Sequence, residues 1–121
     1  MPTLVVDGAN VVGSVPDGWW KDRRGAAERL RDALVGVAAA GPDAIAGPVR
    51  VVLVVEGAAR GVPSVAGVEV VSAPGSGDDT IVEVVAAAEP PVWVVTADRA
   101  LRDRVTALGA DVLGPRSVPR T

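Results

Sequence analysis

The sequence predicts a three-layer α/β domain, a mainly parallel central sheet flanked by helices. Three observations carry this. Short Val-rich runs alternate with segments of helical apolar spacing, as in strand–helix–strand units. The run at Val49–Val55 is nearly continuous in Val and Leu, the mark of a strand covered on both faces. With 121 residues, the chain has the length of one domain and can bury a core without staples.

The elements follow in order. Thr3–Val6 reads as a buried strand that ends at the turn-like cluster Asp7-Gly8-Ala9-Asn10. Breaks at Gly13 and Pro16-Asp17-Gly18 make residues 11–22 a long loop. Arg23–Ala40 is a helix with Ala27, Leu30, Leu34 and Val37 on one face, Asp22 as its cap and Gly41-Pro42 as its stop. Strands at Val49–Val55 and Val68–Val71 follow. Asp78–Ala88 is a helix with Ile81, Val84, Val85 and Ala88 as its stripe, ended by Pro90-Pro91. Val92–Thr96 is a strand. Asp98–Leu108 is a helix with Leu101, Val105 and Leu108 on one face, and Asp111–Leu113 is a last short strand. Residues 1–113 thus form one domain, with the Pro- and Arg-containing stretch 114–121 as a flexible tail.

Composition narrows the chemistry. There is no His, Cys, Tyr or Phe, while 26 residues are Val and 20 are Ala. Thiolate metal sites, cysteine nucleophiles, imidazole bases and Ser-His-Asp triads are excluded. Catalysis has to come from carboxylates, hydroxyls, amides, Lys or Arg, or from a bound metal ion. The net charge of -3 argues against a globally basic nucleic-acid surface but leaves room for a local basic patch. Neither a signal peptide nor a membrane-length apolar run is visible, so the expected location is the cytoplasm.

In open α/β sheets, ligands bind at the carboxyl ends of strands near the topological switch point. The acids just beyond strands are therefore the informative ones. Asp7 follows the first strand, Asp98 follows Val92–Thr96, and Asp78 and Asp79 open the helix between the third and fourth strands. Each also has an ordinary structural explanation. Acids in a first helical turn favour the macrodipole, Ser76 and Asp79 loosely match a capping box, and Asp98 suits an N-cap. Asp7 is the hardest to explain in this way, because it ends a buried strand and is expected to begin no helix. Gathered at one sheet edge, with Asn10 beside them, these carboxylates repel one another, and a divalent cation offsets that cost. Mg²⁺ or Mn²⁺ prefers such oxygen donors; either ion lowers the pKa of a bound water and orients a phosphodiester. Glu56, after the second strand, and Asp103 are weaker candidates; Glu56 is expected to lie too far along the sheet.

The segment Trp19-Trp20-Lys21-Asp22-Arg23-Arg24 places two of the three tryptophans beside three cations. Indoles stack on unpaired bases and cations pair with phosphates, so Trp19, Trp20, Lys21, Arg23 and Arg24 are candidate RNA contacts, extended by Arg99 and Arg102 and less strongly by Arg60. Alternatively, a tryptophan covers the sheet edge and the cations are solvated.

The run Leu4-Val5-Val6-Asp7-Gly8-Ala9-Asn10-Val11-Val12-Gly13 resembles the opening of NYN domains, a branch of the PIN-like nuclease superfamily, whose first strand ends in Asp-Gly-x-Asn. Gly77-Asp78-Asp79-Thr80-Ile81-Val82 is similar to their acidic helix start, and Val94-Val95-Thr96-Ala97-Asp98-Arg99 to their Thr-x-Asp element. Pro16–Arg23 resembles the corresponding loop of short stand-alone bacterial NYN proteins. The resemblance spans roughly residues 3–113 and implies a Rossmann-like PIN/NYN fold with Mg²⁺- or Mn²⁺-dependent RNA cleavage. It also implies Asp7, Asp78 and Asp98 as metal-binding acids, Asn10 as a polar partner, and Asp79 as a fourth acid or a partner of the ligands. The chain departs from many PIN-like enzymes in having no obvious Glu in the middle acidic position, which favours one metal ion over two. RNA is the expected partner and no membrane is involved; monomer and homodimer both stay open. An RNA- or protein-binding module with little catalysis and a nucleotide phosphohydrolase are the alternative functions.

Overall fold

The structure is a computed structural model that describes residues 1–43 and 45–119. Five strands, β1 (Thr3–Asp7), β2 (Arg50–Val55), β3 (Val68–Ser72), β4 (Val92–Val95) and β5 (Asp111–Leu113), form one sheet in the order β3-β2-β1-β4-β5. All four pairings are parallel. The chain builds outward from β1 to β2 and β3, then returns to β1's other side with β4 and β5. The switch point therefore lies at the carboxyl ends of β1 and β4, where a Rossmann-like sheet opens a crevice.

Four helices cover the sheet: α1 (Gly8–Gly13), α2 (Arg23–Ala40), α3 (Gly77–Ala87) and α4 (Arg99–Thr106). Strand alternation sends Leu4, Val6, Val51, Leu53 and Val55 to one face, where Leu30, Leu34 and Val37 of α2 meet them. Val5, Val52, Val54 and Val94 point to the other face, against Ile81 and Val85 of α3 and Leu101 and Val105 of α4. Valine suits this packing because its branched side chain is stiff and fills the pleated surface at little entropic cost.

The expected helices and strands are present, with ends shifted by up to two residues. The Asp22 carboxylate accepts a hydrogen bond from Gly25 N at 2.9 Å and so caps α2, and Gly41 ends that helix at φ 83°. The stretch after β1 differs from the expected open loop. It turns at once into α1, capped by Asp7 through a 3.3 Å hydrogen bond from Asn10 N. Six residues containing two glycines carry too little periodicity to announce a helix, and tertiary packing makes it. A 3-10 turn, Trp19–Lys21, occupies the rest of the expected loop. α4 is shorter than its apolar spacing implies, so Leu108 falls beyond it and is exposed.

The stretch after β5 makes contacts with the rest of the chain. Val118 is 5% exposed within the α2-side core, and Asp43 N donates to Ser117 O at 3.3 Å. Val118, followed by Pro119, finds a seat in the α2-side core, so the described part of this stretch, to Pro119, contacts the domain. Residues 120 and 121 lie outside the described residues. Among the described residues, no helix is long and apolar enough to cross a membrane.

Gly8 is where sequence and fold constrain each other most closely. A Cβ there would lie 2.6 Å from Val54 O, a backbone atom that cannot step aside. Gly36, in the middle of α2, has nothing within 4 Å of its Cβ position. Overpacking costs about 1–3 kcal/mol, more than the roughly 1 kcal/mol of helix propensity that alanine adds. Gly8→Ala is therefore expected to lower stability by about 1–2 kcal/mol and Gly36→Ala to raise it by up to about 1 kcal/mol, both read from urea denaturation midpoints.

Candidate functional site

Strand register builds the site. Val6 pairs with Val95, so the next step along each strand sets Asp7 beside Thr96. Asp7 points to the same face as Val5, towards the start of α3 and α4. It is 5% exposed. Its Oδ2 accepts from Thr96 Oγ1 at 2.9 Å and its Oδ1 accepts from Asn10 N. Thr96 Oγ1 in turn accepts from Asp98 N at 3.1 Å, and Asn10 Oδ1 accepts from Ala97 N at 2.9 Å. The β1 and β4 ends are thus laced together by polar groups from both motifs.

Asp98 caps α4, its Oδ1 accepting from Leu101 N at 2.9 Å. Asp78 opens α3, and its own N donates to Ser76 Oγ at 3.2 Å. Capping and site membership are compatible here, since a capping carboxylate spends one oxygen on the helix and retains the other.

Burial pushes the Asp7 carboxyl up to about 6, against the lowering effect of the Thr96 and Asn10 hydrogen bonds, with the Asp78 and Glu56 charges adding to the rise. Asp78 is also raised, first by desolvation, then by the Asp98 and Glu56 charges; Arg104 opposes this and Asp79 adds a little. Asp78 is thus within electrostatic reach of Asp7, Glu56 and Asp98, and Asp7 within reach of Asp78 and Glu56.

Glu56 belongs to this group, contrary to the expectation that it lies too far along the sheet. β2 is β1's direct neighbour, with Asp7 opposite Val54, and Glu56 stands two residues further on the same face. Its Oε1 comes within 2.8 Å of where a Gly77 Cβ would lie, at the first residue of α3. Only the strand order, which no sequence pattern prints, brings it there. Thr96 is the other residue missing from the expected set. Its place in Thr-x-Asp was legible, but its two-way hydrogen bonding required the β1–β4 pairing. Asp7 also begins a helix after all, so its capping role and its site role coexist.

Asp79 points elsewhere. It is exposed and forms an ion pair with Arg104 at 3.0 Å, tying α3 to α4. Asp103 is exposed on α4. Asp7, Asp78, Asp98 and Glu56 offer the hard oxygen donors that Mg²⁺ or Mn²⁺ takes, and their mutual repulsion is what a cation would relieve. Among the described residues, no three acidic side chains are drawn together closely enough to hold an ion as they stand.

The expected RNA-contacting residues divide. Trp19 is half-buried against the α2-side core, while Trp20 is 55% exposed and meets it edge-on at 5.9 Å between centroids. The Arg23 guanidinium carbon lies 5.4 Å from the Trp19 ring centre. Lys21 and Arg99 are exposed. Arg24 is committed to the fold, donating to Arg60 O and Gly61 O at 3.2 Å each. Arg60 likewise donates to Gly57 O and Pro74 O, joining the turns after β2 and β3.

No family model matches the chain, and no curated protein sequence does. Among solved structures, the chain is similar to Rae1 (YacP) from Bacillus subtilis, solved as a single tryptophan-to-leucine variant. The TM-score is 0.77 at 20% identity, over 97% of this chain and 72% of that one. The two share the α/β fold.

The raised Asp7 fixes a sign for stability against pH. Below about pH 4, Asp7 is protonated in both the folded and unfolded chain. Between about 4 and 6 the unfolded chain releases the proton and the folded chain keeps it, so stability falls as pH rises and the full penalty is present above about 6. The rise from 3.8 to about 6 corresponds to roughly 3 kcal/mol. In metal-free protein, Asp7→Asn is expected to be more stable than wild type at pH 7 by roughly 1–3 kcal/mol, with the gap closing towards pH 4. Urea unfolding across that range measures it.

Proposed function

We propose that this protein is a metal-dependent endoribonuclease that hydrolyses phosphodiester bonds in RNA. The observation that carries the reading is the buried Asp7 carboxylate at the switch point, within electrostatic reach of Asp78 and Glu56 and lacking an Arg or Lys ion pair among the described residues. A fold does not need an ionised buried acid for packing, and keeping one there destabilises the chain at neutral pH. A site that binds cations gives that cost a purpose. The motif resemblance points to the same chemistry, and the shared fold with Rae1 (YacP) is consistent with it.

In this reading Asp7, Asp78 and Asp98 hold Mg²⁺ or Mn²⁺, and Glu56 adds a further carboxylate at the same edge. The ion, when bound, supplies Lewis-acid stabilisation of charge on the phosphate and a nucleophilic water at neutral pH. The protein's own groups do the positioning. Thr96 and Asn10 N fix both Asp7 oxygens, and Asn10 anchors the backbone that leads to Asp98. Lys21, Arg23 and Arg99 are the exposed cations available to the RNA backbone, whereas Arg24 contributes through the fold. Asp79 acts on the α3–α4 packing through Arg104.

The decisive assay incubates purified protein with single-stranded and structured RNA, and separately with nucleoside triphosphates, with Mn²⁺, Mg²⁺ or excess chelator. Cleavage of RNA that needs the ion is expected. RNA bound without turnover would assign a binding module, and hydrolysis of the triphosphates alone a nucleotide phosphohydrolase. Asp7→Asn is expected to reduce RNA cleavage by roughly 100-fold or more while remaining folded. Thr96→Val, which removes the support and leaves the carboxylate, is expected to lose roughly 10- to 100-fold and to need more Mn²⁺ for half-maximal rate.

A further inference from the structure

Beside the acids lies a cleft of about 310 Å³, between α1, the start of α2 and the turn after β2. Its volume is at the small end of the range for pockets that take small organic groups. Val12 and Ala59 contribute apolar wall, Trp19 an aromatic wall, and Arg23 and Glu56 the polar groups. Trp19 is held from three sides, by the core beneath, the Arg23 guanidinium and the edge of Trp20, so little rotamer freedom remains to be lost on binding. Glu56 lines the cleft and also belongs to the acidic group with Asp7 and Asp78. Gly8, which follows Asp7 in the chain, lines the cleft as well, so the cleft adjoins the strand end that carries the first acid.

The lining is that of a site for a flat, heteroaromatic group with polar edges, carried on a negatively charged backbone. The aromatic wall matches the face of such a group, and the guanidinium meets its face or its phosphate. We infer that this cleft is a base pocket, which takes one unpaired nucleobase of single-stranded RNA against Trp19 and Arg23 and thereby sets which phosphodiester lies over the acids. The inference rests on the ribonuclease reading for its substrate class. It adds a requirement which that reading lacks: the nucleotide next to the cut is unstacked, so a fully paired helix is a poor substrate.

The test separates binding from cleavage. A labelled ten-nucleotide single-stranded RNA is titrated by fluorescence anisotropy in excess chelator against wild type, Ala59→Phe and Trp19→Ala. Ala59→Phe fills the cleft and leaves the tryptophan and every acid in place. Both variants are expected to bind roughly 5- to 100-fold more weakly, the size of one base–aromatic stack. An oligonucleotide of the same length made of abasic ribose-phosphate is expected to bind wild type as weakly as the intact RNA binds Ala59→Phe. Should Trp19→Ala unfold, the cleft-filling variant and the abasic strand still decide. Unchanged affinity of Ala59→Phe for the intact RNA overturns the pocket, and a nucleoside monophosphate that competes as well as the oligonucleotide overturns single-stranded RNA as its occupant. Cleavage by wild type with Mn²⁺ together with unchanged Ala59→Phe affinity removes the pocket and leaves the nuclease. Weakened Ala59→Phe binding without any cleavage by wild type removes the nuclease and leaves the pocket.

Discussion

A carboxylate at the closed end of a β-strand, shielded from water, is the constraint around which the rest of this molecule is arranged. Asp7 is taken out of solvent by the parallel sheet on either side and by the helix it starts. Two hydrogen bonds, from Thr96 Oγ1 and Asn10 N, do not compensate for that desolvation, and its acidity stays weakened. The Thr96 bond also joins the ends of β1 and β4, the two neighbouring strands at the switch point. The groups that support Asp7 therefore also hold the crevice in shape. Thr96 is central because one hydroxyl donates to Asp7 and accepts from Asp98 N, coupling the first acid to the last through a single side chain.

α1 is the element that converts this acid into a two-sided site. It can start directly after β1 because Gly8 has no Cβ to meet Val54 O. The close approach brings Ala9 and Val12 against the turn after β2 and opens the cleft between that turn and Trp19. On one side of Glu56 lie the acids that face α3 and α4, and on the other lies the aromatic wall that faces α2. The arginines around this edge serve different ends. Arg23 remains with the cleft, while Arg24 and Arg60 spend their guanidinium groups on loop carbonyls and hold the turns that frame it.

Helix capping and site chemistry are performed by the same acids. Asp7, Asp98 and Asp22 each cap a helix through a backbone N–H three residues on. Only Asp7 and Asp98 lie at strand ends near the switch point, and only they join the group that contains Asp78. Capping alone therefore does not distinguish the two kinds of acid; position relative to the sheet does. Asp79 makes the same point in reverse. It adjoins Asp78 in sequence, yet successive helical residues point about 100° apart, and it turns outward to Arg104.

Local patterns were enough to identify the layered α/β class, the α2 boundaries and the strand centres, because valine runs, helical apolar spacing, capping residues and glycine stops act over a few residues. The sequence alone determined which chemistry was available: without His or Cys, carboxylates, hydroxyls and cations are what a site here can use. Contacts that span the chain belong to the tertiary structure. It decided that α1 forms, since six glycine-bounded residues make a stable helix only when packed. It also decided that Val118 docks, that Arg24 turns to loop carbonyls, and that Glu56 and Thr96 stand with Asp7. The physical reason is strand order: which strand lies beside β1 depends on how all five minimise exposed apolar surface together, and that sum over the whole chain is not contained in any one segment of it.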